Sequence, residues 1–156
     1  MGGRLRILWP GKTRDADWRA LQEFYLRRVR QLAPCEVVET REAKGLEDSQ
    51  SARIKEIEAD GLEKQLKDDY IICLFDGGKT MTSQAFASFL EKRLSDARGT
   101  AFVVGGFAGL SARIMERADL ALSLSPMTFS HELCRVALLE QIYRALTIMK
   151  GRSYAK

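Results

Sequence analysis

Apolar residues recur along this chain in two rhythms that take turns. Leu5, Ile7 and Trp9 stand two apart among Arg4, Arg6 and Leu8, the spacing of a short strand, and Pro10-Gly11 ends it. From a cap at Asp15 or Asp17 to about Leu32 the period changes. Trp18, Leu21, Tyr25, Val29 and Leu32 fall three or four apart, as on one face of a helix. Ala33-Pro34 stops it, and Cys35–Thr40 reads as a second strand. A polar stretch, Arg41–Ser49, leads into a charged helix over residues 50–67. Its apolar positions, Ile54, Ile57, Leu62 and Leu66, are sparse, so most of it should face water. Gly61 weakens its middle by about 1 kcal/mol relative to alanine.

The next apolar run is continuous. Tyr70–Phe75 has no polar alternation, as expected of a strand buried on both faces. Asp76-Gly77-Gly78-Lys79 reads as a turn. Thr82 or Ser83 then caps a helix carrying Phe86, Phe89, Leu90 and Leu94, which Gly99 ends. Ala101–Val104 is another fully apolar strand, and it runs into Gly105-Gly106-Phe107-Ala108-Gly109. Ser111 starts a short helix to about Arg117, and Leu120–Ser125 is a last strand. After Pro126–Ser130 comes the longest helix, His131–Met149, followed by the polar tail Lys150–Lys156. Five strands alternating with five helices predict an α/β protein, a mainly parallel sheet with helices on both faces. With 156 residues and no linker or repeat, residues 1–156 read as a single domain.

Composition narrows the class. The chain is 46% hydrophobic and 29% charged, ordinary for a folded protein and against disorder. A net charge of +4 permits an anionic partner without requiring one. Cys35, Cys73 and Cys134 are scattered, and His131 is the single histidine, so a tetrahedral Cys/His metal site is not expected. No apolar run reaches membrane-spanning length, and Met1–Arg6 lacks the apolar core of a signal peptide. The expectation is a cytoplasmic protein with reduced thiols, no metal and no membrane partner.

Open parallel sheets bind ligands beyond the carboxyl ends of their strands. Three loops have that position: Phe75–Lys79, Gly105–Gly109 and Ser125–Ser130. The glycine loop is not the G-x-G-x-x-G of dinucleotide sites, and its glycines also suit a plain strand-to-helix turn. Ser125-Pro126-Met127-Thr128-Phe129-Ser130 carries no charge and suits an adenine or another apolar ring with a few polar edges. It also reads as an ordinary loop in which Ser130 caps the next helix. His131 opens that helix, where its cationic form is disfavoured, so it is a candidate neutral base or a simple surface residue. The last helix has a broad apolar face running from Leu133 to Met149. Core packing explains that set, and a subunit interface would explain its breadth. Basic residues surround Tyr154 in the tail, an arrangement suited to RNA backbone contact with base stacking, or to a frayed end.

These residues together carry a resemblance. Val103–Ser111, then Leu122–His131, then Arg135–Ala145 resemble the small SPOUT-class methyltransferases that methylate N3 of a pseudouridine in large-subunit ribosomal RNA. Gly11-Lys12 and Leu74 echo the family more weakly. The resemblance implies a C-terminal deep trefoil knot, a feature rare enough that no pattern predicts it. It implies S-adenosyl-L-methionine as cofactor, held by Leu74, Gly106 and Ser125, Pro126, Met127, Thr128, Phe129 and Ser130, with Gly105 beside them. It implies a homodimer with the last helix at the interface and an active site shared between subunits. The partner is ribosomal RNA, in the large ribosomal subunit or the ribosome. His131, Arg144 and Tyr154 become the candidates for base, charge stabiliser and stacking group. Family members usually end in Gly-His-Pro-Tyr-His, whereas this chain ends Gly151-Arg152-Ser153-Tyr154-Ala155-Lys156. The tyrosine is kept and both histidines are replaced. An alternative follows: a knotted dimer that binds cofactor or RNA with weak or lost catalysis. A second alternative is a doubly wound enzyme that holds a nucleotide or flavin phosphate at Gly105–Gly109.

Overall fold

The computed structural model describes residues 3–154; Ala155 and Lys156, which bear on the altered tail, lie outside the described residues, as do Met1 and Gly2. Five strands form one sheet: β1 (Leu5–Pro10), β2 (Cys35–Thr40), β3 (Tyr70–Thr80), β4 (Thr100–Val103) and β5 (Leu120–Ser123). Their order across the sheet is β2-β1-β4-β3-β5, and every neighbouring pair is parallel. The helices are α1 (Ala16–Leu32), α2 (Ser51–Gln65), α3 (Ser83–Ser95), α4 (Ala112–Met115) and α5 (His131–Met149).

The helices cover both faces, and strand alternation sorts side chains between them. Leu5, Ile7 and Trp9 of β1, Ile72 and Leu74 of β3, and Phe102 of β4 join the core under α1, α3 and α5. Leu8, Ile71, Cys73, Ala101 and Val103 point the other way and pack with Ala59 and Leu62 of α2 and Ile114 of α4. This two-sided burial is why the central strands read as unbroken apolar runs.

Caps set the helix starts. Asp15 accepts from the backbone N–H groups of Asp17 and Trp18 ahead of α1, and Thr82 accepts from Ala85 ahead of α3. Ser111 does the same for Ile114 and Ser130 for Leu133.

Four expectations need correction. Asp76–Lys79 is not a simple turn. β3 loses register after Leu74 and resumes at Lys79, so Phe75–Gly78 bulges out within a longer strand. Gly78 permits this, because a β carbon there would come within 2.6 Å of the Ala121 carbonyl oxygen. β5 stops at Ser123, which frees Leu124 and Ser125 for the following loop. The short helix ends at Met115, with Arg117 beyond it. Finally, α2 is not mostly solvated: Ile54, Glu58, Ala59, Gly61 and Leu62 are buried. Gly61 lets the chain pass closely, since a β carbon would meet the Arg41 β carbon at 2.9 Å.

Two buried arginines occupy places that polar letters do not announce. Arg6 is 2% exposed and donates from Nη1 to Asp69 Oδ2 at 2.8 Å. Arg135 of α5 is 1% exposed. It donates to the Pro10 carbonyl at 2.7 Å and to Thr13 Oγ1 at 2.9 Å, and it lies over the Trp9 ring. Burial lowers the pKa of its guanidinium to about 10. Arg135 thereby ties the start of α5 to the carboxyl end of β1, beside the site.

Candidate functional site

A cavity of about 910 Å³ opens beyond the carboxyl ends of β3, β4 and β5. The chain leaves each strand there in a segment shaped by specific contacts. After β4, Gly109 has φ +85° and its N–H donates to the Gly106 carbonyl at 3.0 Å, folding Gly105–Gly109 into a tight turn. Gly105 sits in the crook of that turn, where a β carbon would lie 2.7 Å from the Gly109 carbonyl carbon. In β3, the bulge presents Asp76. Its carbonyl accepts from Ser123 Oγ at 2.9 Å, and its carboxylate Oδ2 accepts from Thr128 Oγ1 at 2.5 Å. After β5, Ser125 Oγ accepts from the Met127 N–H at 3.0 Å, and Ser130 closes the loop by capping α5. These bonds fasten the bulge of β3 to the loop after β5.

The structure brings most of the sequence-derived candidates together. Leu74, Gly105 and Gly106 line the cavity, and so do Ser125, Met127, Thr128, Phe129 and Ser130. Pro126 belongs to the same loop without lining the cavity. His131 faces the cavity as well, and burial lowers its pKa, so the imidazole is neutral near pH 7.

Arg144 and Tyr154 are elsewhere. Arg144 is thirteen positions along α5 from His131, or about 20 Å at the rise of an α-helix. The two meet each other instead: the Arg144 guanidinium lies 4.7 Å from the Tyr154 ring centre, and Tyr143 packs edge-on against that ring at 4.8 Å. Arg144 donates to Glu140 Oε2 at 2.8 Å. Burial, then Glu140, then Tyr25 raise the Tyr154 pKa well above its ordinary value, so the phenol keeps its proton. Tyr154 is a hydrogen-bond donor or a stacking surface here, and not a base. The three candidates therefore form two groups within one chain.

The cavity also recruits residues that the sequence reading did not single out. Asp76, Phe75 and Phe107 fall inside loops already picked, and the two phenylalanines are 50% and 60% exposed at the cavity. Cys134 follows Ser130 by one helical turn, a spacing that could have placed it. Burial pushes its thiol to about 11, which leaves it unreactive. Lys55 of α2 gives no local signal, because only the packing of α2 beside the glycine loop brings it there. Among the described residues no group of three or more His, Cys, Asp or Glu side chains could hold a metal ion. No helix among them is long and apolar enough to cross a membrane.

An all-parallel sheet with a glycine-walled cavity at its carboxyl ends, closed by the loop that starts α5, defines an α/β protein with a small-molecule-sized cavity at the place where such sheets bind ligands. The sequence model of the SPOUT methyltransferase family matches residues 4–155, and the chain belongs to that family. It is 40% identical over 153 residues to the ribosomal RNA large subunit methyltransferase H of Geobacter sp. strain M21, covering 97% of each chain. It is 41% identical over 153 residues to the protein of that name from Pelobacter propionicus, covering 97% of this chain and 98% of the other. Solved structures share the fold at low identity. A probable methylase family protein from Haemophilus influenzae aligns with a TM-score of 0.58 at 12% identity, over 100% of this chain and 72% of that one. A Legionella pneumophila protein solved in complex with the bound cofactor SAM aligns with a TM-score of 0.52 at 11% identity, over 92% of this chain and 67% of that one.

Proposed function

We propose that this chain is an S-adenosyl-L-methionine-dependent methyltransferase that methylates N3 of a pseudouridine in large-subunit (23S) ribosomal RNA, working as a homodimer in the cytoplasm. The observation that carries this reading is full-length similarity to the ribosomal RNA large subunit methyltransferases H at about 40% identity. The cavity fits the cofactor. Its volume lies within the range of small-molecule sites. Leu74, Val104, Leu124 and Phe129 give it apolar walls, and glycine backbone forms one side. Leu74, Gly105, Gly106 and the Ser125–Ser130 loop would hold the cofactor, which supplies, when bound, a methyl group on a sulfonium for in-line transfer to a ring nitrogen.

The chain's own residues then have separate tasks. N3–H of a uracil-type ring is a weak acid, so its proton needs an acceptor and the resulting anion needs a cation. His131, neutral and at the cavity, supports the first role. Arg144, with Tyr154 beneath it, supports the second, together with base stacking. Their separation of about 20 Å along α5 supports a site completed across a dimer. The face of α5 that carries Leu133 and Ile148, both more than a third exposed, offers apolar surface for that contact. The knot implied by the resemblance belongs to the same reading.

The deciding assay incubates the purified protein, S-adenosyl-L-methionine and large subunits from a strain lacking the endogenous enzyme, with mass spectrometry of the ribosomal RNA. One methyl group on a pseudouridine is the expected result. The replaced tail histidines, Arg152 and Ala155 in this chain, favour a second reading as a dimer that binds without catalysis. Tight cofactor binding with no methylation of any subunit preparation would establish that reading instead.

A further inference from the structure

The cavity has the opposite sign to the chain. The sequence carries a net charge of +4, yet the cavity is lined by two carboxylates, Asp76 and Glu132, against one ammonium, Lys55, with His131 neutral. A third carboxylate, Glu58, lies behind the glycine loop. It is 5% exposed, its Oε1 has no hydrogen-bond partner, and a β carbon on Gly106 would come within 2.9 Å of that oxygen.

These acids are not equivalent. Glu132 sits in the first turn of α5, where the positive helix end offsets its charge. Glu58 is balanced in part by Arg135. Asp76 takes part in none of the ion pairs among the described residues. Its one side-chain bond, from the neutral Thr128 hydroxyl to Oδ2, holds the carboxylate in place without cancelling its charge. The result is a fixed, uncompensated negative group at the cavity, on a bulge whose shape the fold imposes.

Methyl transfer changes one property of the cofactor above all. The sulfur is a cationic sulfonium before the reaction and a neutral thioether after it. We propose that Asp76 reads that charge: it favours the methyl-bearing cation over the spent neutral product, and so promotes exchange of one for the other. This inference rests on the cofactor reading above. It assigns Asp76 as the specificity-determining residue between two ligands that differ by a methyl group and a charge. A hydrophobic pocket discriminates weakly on a single methyl. A carboxylate discriminates on the charge through Coulomb attraction, which reaches an exposed group such as Asp76 in reduced but still usable strength.

The test is isothermal titration of S-adenosylmethionine and S-adenosylhomocysteine into the full chain and its variants. In Asp76→Asn the amide oxygen still accepts from Thr128, so the loop keeps its anchor while the charge is lost. Asp76 is exposed in the chain, so the expected result is a weakening of about threefold to fivefold for S-adenosylmethionine and less than about 1.5-fold for S-adenosylhomocysteine. Asp76→Glu should restore the preference of the wild type. Equal weakening of both ligands would show that Asp76 only positions the loop, and it would overturn the proposal, as would no change in either. A wild-type chain that binds neither ligand would overturn the cofactor reading itself. That failure is distinct from a wild-type chain that binds both without preference, which refutes the charge reading alone.

Discussion

Gly105→Ala tests whether the backbone of the glycine turn is the wall of a binding site. The added β carbon would lie 2.7 Å from the Gly109 carbonyl carbon and 3.0 Å from Gly109 Cα and Leu110 N. Ordinary contact starts near 3.4 Å, so the facing backbone has to retreat by roughly 0.7 Å, and no side chain can flex to absorb it. Gly109 is held at φ +85° and bonded to Gly106, so the retreat moves the turn as a unit. Overpacking of this kind costs about 1–3 kcal/mol. At this chain length each kcal/mol lowers the melting temperature by roughly 2–4 °C. A wall displaced this far also loses contact with whatever it held, and a penalty of about 1.4 kcal/mol weakens binding tenfold. Thermal denaturation and titration with S-adenosylmethionine should therefore show a lowered melting point and at least about a tenfold rise in Kd. Gly151→Ala is the control, since nothing lies within 4 Å of its β carbon position and its φ of +63° brings only backbone strain. It should lower the melting temperature and leave cofactor affinity alone. A Gly105→Ala chain that binds cofactor within twofold of wild type would refute the reasoning.

Two further predictions concern titratable groups whose pKa is moved by burial, one half-buried and one buried. Burial lowers the His131 pKa from its ordinary 6.5, so its stabilising contribution is present above pH 6.5 and is lost as the pH falls through the lowered value. Urea denaturation at pH 7 and at about pH 5 should show this acid loss in wild type and a smaller one in His131→Gln. Burial raises the Glu58 pKa from its ordinary 4.5. The folded state there binds more protons than the unfolded one, so stability falls as the pH rises from 4.5 through the raised value. Glu58→Gln should melt higher than wild type at pH 7, with the advantage vanishing below pH 4.5. An unchanged or lowered melting point at pH 7 would contradict the burial argument.

What the sequence made legible follows from local rules. Continuous apolar runs at Tyr70–Phe75 and Ala101–Val104 announced strands covered on both sides, and Asp15 or Asp17, Thr82 or Ser83, Ser111 and Ser130 announced helix starts because capping is a matter of adjacent residues; the structure selects Asp15 and Thr82. The three segments of the cavity were legible for a related reason: each follows an apolar strand run, and a parallel sheet sends the ends of those runs to one edge, although Phe75–Gly78 proves to be a bulge within β3. Features set by distant packing were not legible. Arg6 looks like a solvated letter in an alternating strand, and only Asp69, 63 residues away, makes its burial tolerable. Arg135 is satisfied by the Pro10 carbonyl, 125 residues away. Gly61 looked like a defect in a surface helix because the passing Arg41 backbone is invisible from its neighbours. Lys55 reaches the cavity only through the docking of α2. The bulge at Phe75–Gly78 read as a turn because its glycines suit either, and the choice is made by pairing with β5.

The division of the candidate residues along α5 leads to the sharpest test of how the site is completed. His131 lines the cavity, while Arg144 and Tyr154 form a cluster with Glu140 about 20 Å further along the helix. No single uracil-type ring reaches both groups within one chain. If a two-fold dimer brings the Arg144 cluster of one subunit to the cavity of the other, each site takes one part from each chain. His131→Ala and Arg144→Ala homodimers would each then lack one part at both sites, and both should lose most methyl transfer. Arg144→Ala should still bind cofactor as wild type does, because it is remote from the cavity of its own chain. Mixing the two variants after dissociation gives heterodimers in which one site collects both defects and the other collects none. With random pairing half the dimers are mixed, and each has one of two sites intact, so about a quarter of wild-type activity should return. If each chain instead housed its whole site, every site in the mixture would carry one defect. The activity would then stay at the level of the separate variants, and the shared site would have to be abandoned.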